Sequence, residues 1–204
     1  MESMSIYKGC RCSLCSKPLR NAKNLVCSNC LSRKNYFNKG FSLFVYNESN
    51  IKKVIEYIKF YHKPHLVKFL MHYSNFIKEL DIFEDCDYLI PIPMHRDDIE
   101  ERGYNQSAYI AKIISKITGI PVGFDILIKT KKTKKQVGLK QKERLKNLSR
   151  AFDVLKIPNN IRKITLIDDV FTTGSTINEC AKILKRHNIE SNFFTIATTS
   201  DINE

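Results

Sequence analysis

The chain has 204 residues, 43% of them hydrophobic, and a formal net charge of +13. That apolar share suits a globular protein with a sizeable core and argues against disorder. No stretch approaches the ~18 apolar residues of a membrane helix, and the opening MESMSIYKGC lacks the apolar core of a signal peptide, so a cytoplasmic protein is predicted.

The charge is focal. Residues 129–150 hold ten Lys or Arg against one Glu, residues 1–39 hold eight against one, and the rest of the chain is slightly acidic. Concentrated positive charge points to a polyanionic partner.

Five of the seven cysteines fall between positions 10 and 30. A cytosolic chain keeps thiols reduced, so this clustering suggests a metal rather than bridges. Cys12-x2-Cys15 and Cys27-x2-Cys30, with eleven residues between the pairs, match two knuckles closing a tetrahedral thiolate site. Cys10 in place of Cys12 is the second choice. Four sulfur ligands leave no open position for water, so zinc here is expected to be structural.

Next, FSLFVYN (41–47) reads as a strand. The following stretch places Ile51, Val54, Ile55 and Ile58 on one helical face, and Pro64 should break it into two helices. His62, His65 and His72 are spaced poorly for one metal and read as solvated. DYLIPIP (87–93) reads as a buried strand, and NQSAYIAKIISKITG (105–119) as a helix with Ile110, Ile113, Ile114 and Ile117 on one face. FDILIK (124–129) is a short strand and KERLKNLS (142–149) a short helix or turn. RKITLID (162–168) is the clearest strand, STINECAKILKRH (175–187) a helix, and FFTIATT (193–199) a last strand. This alternation predicts an α/β fold, a mostly parallel sheet with helices on both faces, preceded by a small zinc-binding module. The expected division is a module over 1–40 and a larger domain over 41–204.

In such sheets ligands sit beyond the carboxyl ends of the strands. There the sequence ITLIDDVFTTGST (164–176) sets Asp168 and Asp169 just ahead of Thr172, Thr173, Gly174, Ser175 and Thr176. A glycine-centred turn entering a helix can aim N–H groups and hydroxyls at a phosphate. Carboxylates only accept, so the two acids suit vicinal hydroxyls or a metal ion. A phosphate site one turn from a diol acceptor describes a ribose 5-phosphate. The P-loop alternative fails, since no glycine begins G-x-x-x-x-G-K-[ST].

ITLIDDVFTTGST resembles the phosphoribosyl pyrophosphate (PRPP) motif of type I phosphoribosyltransferases. The likeness is closer to the ComF/ComFC family, competence proteins of bacterial DNA uptake that carry a four-cysteine zinc module before a phosphoribosyltransferase-like domain. PIPMHRDDIEERGYNQS (91–107) and TKKQVGLKQKERLKNLSRAF (133–152) are similar to segments of that family, although the second is Lys-rich here where the family is Arg-rich. The resemblance covers roughly residues 10–200. It implies a type I phosphoribosyltransferase-like fold, ribose hydroxyls on Asp168 and Asp169, the 5-phosphate on 172–176, Mg with the PRPP, and Arg96 as the charged contact to pyrophosphate.

It also implies natural transformation as the context, with single-stranded DNA as partner and a ComFA-type helicase as a further one. The candidate DNA contacts are Lys131, Lys132, Lys134, Lys135, Lys140, Lys142, Arg144 and Lys146. No aromatic residue lies within 129–150, so binding there is expected to be electrostatic and weakly selective. The alternative is an active phosphoribosyltransferase with an unidentified acceptor; no segment reads as a base-binding hood, so PRPP binding is expected and turnover is left open. Peripheral attachment at the inner membrane is also left open.

Overall fold

The computed structural model describes residues 4–20, 25–46, 49–132 and 151–199. The four-cysteine segment comes first and contains one short helical turn, α1 (Ser28–Leu31), which starts at Cys27. β1 (Gly40–Val45) and α2 (Ser49–Phe60) follow. Beyond Pro64 the chain continues as a 3-10 helix, Pro64–Tyr73, and then α3 (Ser74–Lys78). β2 (Tyr88–Pro91), α4 (Arg96–Arg102) and α5 (Gln106–Thr118) come next. β3 (Leu127–Lys129) and β4 (Phe152–Val154) form a separate antiparallel pair. β5 (Lys163–Phe171), α6 (Ser175–Arg186) and β6 (Glu190–Thr198) complete the described fold.

The main sheet has the order β1-β6-β5-β2, and every pairing in it is parallel. Parallel strands covered on both faces need apolar side chains in both directions, which is why β5 runs Ile-Thr-Leu-Ile without polar alternation. Ile164 and Leu166 point into one core, shared with α6 and the four-cysteine segment, and Ile167 points into the other. That second core is built from α2, α3 and α5, with Ile51, Ile55 and Ile58 buried along one side of α2 and Ile110, Ile113, Ile114 and Ile117 along α5. Helices therefore flank both faces, as the alternation predicts.

α5 begins and ends as its sequence dictates. Asn105 caps it by accepting from the Ser107 N–H at 2.9 Å, and Gly119 closes it in the left-handed conformation. α4 and β4 have no counterpart among the predicted elements; both are short, and neither carries a long hydrophobic period. Pro64 ends α2 and opens the next segment, as expected, and that segment is a 3-10 helix followed by α3. The helix or turn expected over 142–149 lies outside the described residues. Among the described residues, no helix is long and apolar enough to cross a membrane.

Candidate functional site

The site begins where two strands part company. β2 stops pairing with β5 at Pro91↔Ile167, and the last bond on that side runs from the Ile92 N–H to the Ile167 carbonyl at 2.9 Å. β6 continues alongside β5 as far as Phe171↔Thr198. Asp168 and Asp169 thus sit within the strand, not at its end, on the stretch whose β2 side has opened. An open edge beyond a shorter neighbour is the crevice in which parallel sheets place ligands.

Asp168 Oδ1 accepts from Ser107 Oγ and from the Asp169 N–H, each at 2.9 Å. Burial and the neighbouring charge of Asp169 push its carboxyl up to about 7, against the pull of Lys59 and Ser107. Asp169 is buried, and its Oδ1 lies 2.9 Å from Lys59 Nζ. Its Oδ2 has no hydrogen-bond partner among the described residues. A buried, unsatisfied carboxylate oxygen is costly unless something fills it. Lys59 stays ionised: burial lowers its pKa, but the carboxylates of Asp169 and Asp168 outweigh that and raise it.

The turn after the acids is tightly folded. Gly174 has φ +70 and starts α6; a Cβ there would lie 2.3 Å from the Phe171 ring and 2.7 Å from Arg33 Nη2, so no larger residue fits. Thr173 Oγ1 and Ser175 Oγ are 2.8 Å apart, and the Ser175 N–H donates to Thr173 Oγ1 at 3.4 Å. Thr172, Gly174, Ser175 and Thr176 share with Asp168 one shallow cleft of about 20 Å³. A larger hollow of about 610 Å³ opens between β4 and α6, lined by Glu179, Lys182 and Arg186 among others, and none of the predicted site residues that are described lines it.

Lys59, Ser107, Asn29 and Arg33 are members of this site that sequence reasoning missed. Asn29 Nδ2 donates to the Thr173 carbonyl at 3.1 Å, and Arg33 Nη1 donates to the same oxygen. The chain just after Cys30 also grips α6: the Tyr36 N–H donates to Asn178 Oδ1 at 2.8 Å, and Asn178 Nδ2 returns a bond to the Lys34 carbonyl at 3.1 Å. The one available hint for Lys59 is its place four residues after buried Ile55, at the margin of the apolar stripe of α2.

In the knuckle, the sulfurs of Cys12, Cys15, Cys27 and Cys30 all lie within 4.8 Å of one another, and Cys10 is exposed outside the group. Zinc at ~2.3 Å from four tetrahedral sulfurs sets them about 3.8 Å apart; Cys15 and Cys27 are 3.6 Å apart. The donor set and its spacing fit a structural zinc, with Cys12 rather than Cys10 as the ligand. The backbone N–H of Cys27 adds a bond to Cys12 Sγ at 3.3 Å, a contact that steadies a thiolate ligand.

The remaining predicted residues lie elsewhere. Arg96 opens α4 with its side chain 89% exposed, paired to Glu100 at 2.9 Å, and is not brought to the acids. Lys131 is exposed, and Lys132 Nζ pairs with Asp97 Oδ2 at 3.0 Å. Lys134, Lys135, Lys140, Lys142, Arg144 and Lys146 lie outside the described residues.

No family model matches the chain. It is similar to Competence protein F of Haemophilus influenzae, 38% identical over 104 residues that make up 50% of this chain and 45% of that protein. It is 28% identical to Competence protein ComFC of Bacillus subtilis over 182 residues, 85% of this chain and 70% of that one. It is 33% identical to DNA utilization protein YhgH of Escherichia coli O157:H7 over 101 residues, 50% and 44% of the two chains. The match thus spans a little under half the length of the first and third of these relatives.

Proposed function

We propose that this chain, a homologue of the ComF/ComFC competence proteins and of YhgH, is a DNA-uptake factor that handles single-stranded DNA and carries a PRPP site at the carboxyl end of β5. The observation that carries the sugar-phosphate half is the buried Asp169. Its Oδ2 lacks a partner among the described residues, and the adjacent Asp168 lines a cleft together with the hydroxyl-bearing turn entering α6. Asp168 and Asp169 accept the ribose hydroxyls. The turn over 172–176 holds the 5-phosphate, through its N–H groups, the hydroxyls of Thr173 and Ser175, and the positive end of α6. Lys59 offsets one of the two carboxylates, so an anionic ligand meets less repulsion. Mg arriving with PRPP neutralises its pyrophosphate.

In this reading residues 41–204 form a type I phosphoribosyltransferase-like domain, and residues 1–40 a zinc module that braces its phosphate turn. Arg96 reaches pyrophosphate only after leaving Glu100. Lys131 and Lys132, with the cations that follow them in the sequence, attract the DNA backbone, which makes affinity fall steeply with salt. The DNA half is supported by the names of the relatives, Competence protein and DNA utilization protein. The protein acts in the cytoplasm.

The test is isothermal titration of PRPP with Mg into the zinc-loaded chain and into Asp169→Asn. Binding to the first and its loss in the second is the expected result. No binding to the intact chain overturns the sugar-phosphate half. Pyrophosphate release in the same samples, with nucleobase acceptors added, reports whether the site turns over.

A further inference from the structure

One face of the molecule carries a row of side chains that neither the acid cleft nor the knuckle uses. At the end of α2, Phe60 and Tyr61 are 60% and 62% exposed; on α5 and in the loop before β3, Tyr109 and Phe124 are 38% and 51% exposed. Rings of this size left in water in one neighbourhood are unusual for a surface with no partner.

The rings form an ordered series. The Tyr104 ring lies 6.3 Å from that of His62 and 5.7 Å from that of Tyr109. Lys112 Nζ sits 5.6 Å from the Tyr109 centroid and 5.5 Å from that of Phe124, so one cation bridges two rings. At the other end the Arg102 guanidinium lies 5.9 Å from the Phe60 ring, and Lys63 Nζ lies 5.3 Å from that of Tyr57. Tyr104 is locked in place, its hydroxyl donating to the Ile58 carbonyl on α2. The result is a strip of rings with Lys or Arg side chains set against several of them.

A partner matched to that strip must offer flat apolar faces with anions beside them. A protein partner with an aliphatic patch matches the rings but leaves three cations unpaired. A duplex matches the cations but hides its bases. A single strand offers both: bases stack on exposed rings, and phosphates meet the cations beside them. We propose that this strip binds single-stranded DNA by stacking, through Phe60, Tyr109 and Phe124 as ring platforms and Arg102 and Lys112 as phosphate partners. The inference rests on the DNA-handling reading above but assigns base contact to residues other than those of the basic segment 129–150. The strip also borders the acid cleft, since Lys59, which reaches Asp169, lies between Ile58 and Phe60 on α2.

The test uses the full, zinc-loaded chain and fluorescence anisotropy of a labelled oligothymidylate at two salt concentrations. Phe60→Ala, Tyr109→Ala and Phe124→Ala remove exposed rings at little cost to the fold, and circular dichroism checks that they stay folded. Each is expected to weaken binding roughly tenfold with the salt dependence unchanged, whereas Lys131→Gln with Lys132→Gln should flatten the salt dependence. An oligomer of abasic residues, which keeps the phosphates and lacks the bases, should bind intact protein and ring variants alike. Ring variants that bind oligothymidylate as tightly as the intact chain overturn the strip and leave the DNA-handling reading standing. An intact chain that binds no oligothymidylate overturns that reading, and the strip with it.

Discussion

The four-cysteine knuckle and the acid cleft are held together by opposite means. In the knuckle four identical soft donors come from two short turns close in sequence, and one ion fits all of them. Around the acids the groups come from several elements: Asp168 and Asp169 from β5, Lys59 from α2, Ser107 from α5, Asn29 from α1 within the knuckle, and Arg33 from the chain just after it. The knuckle needs its metal and little else. The cleft needs the whole tertiary fold, and one side of it rests on the knuckle through the Thr173 carbonyl. The knuckle segment thus supports the turn over 172–176, so damage to the first should be felt in the second.

The largest effect should follow from removing the metal. Stripping zinc with a chelator, or replacing Cys15 with Ser, frees the thiolates and dissolves a corner of the core shared with α6. The thermal midpoint should drop by roughly 10 °C or more, with loss of PRPP binding, measured by calorimetry and titration. A stripped chain that retains full PRPP affinity would break the dependence.

Next comes Lys59→Met, which leaves buried Asp169 without its cation. The cost expected in urea unfolding is about 2 kcal/mol, below the full figure for a buried pair because Lys59 keeps some contact with water. Adding Asp169→Asn removes the stranded charge and should recover most of that loss.

A smaller effect concerns pH. Asp168 holds its proton up to about 7 in the folded chain and only to about 4 when unfolded. Between those values the folded state binds more protons, so the stability this group confers is full below about pH 4 and is lost as pH rises to about 7. Unfolding profiles of the intact chain should therefore slope downward across that window more steeply than those of Asp168→Asn. The smallest effect belongs to Asn29→Ala, which deletes one hydrogen bond to Thr173. A loss of about 1 kcal/mol is expected, seen as a midpoint lowered by about 3 °C, with a modest weakening of PRPP binding.

The same contrast explains what could be read in the sequence. Spacing alone identified Cys12, Cys15, Cys27 and Cys30, because their geometry is local. The strand, turn and helix start around residues 164–176 were legible because they are contiguous in sequence. The depth of the acids was not: β5 runs three residues past Asp168, since β6 goes on pairing with it after β2 has stopped. Lys59 and Asp169 stand 110 positions apart, and Arg33 and Thr173 stand 140 apart. No periodicity encodes which lysine on a helix will turn inward at such a separation. The aromatic strip was hidden for the same reason, its rings being divided between α2, α5 and three loops. α4 and β4 were missed because short elements are fixed by what they pack against rather than by pattern.

The most direct measurement of the central claim, that the acids read a diol while the turn reads a phosphate, is a titration that alters only the ligand. Ribose 5-phosphate and 2-deoxyribose 5-phosphate should be compared by calorimetry on the same zinc-loaded protein. The account predicts binding of the first at least tenfold tighter than the second, since losing one hydroxyl leaves a buried carboxylate oxygen unpaired. Equal affinity for the two would contradict it.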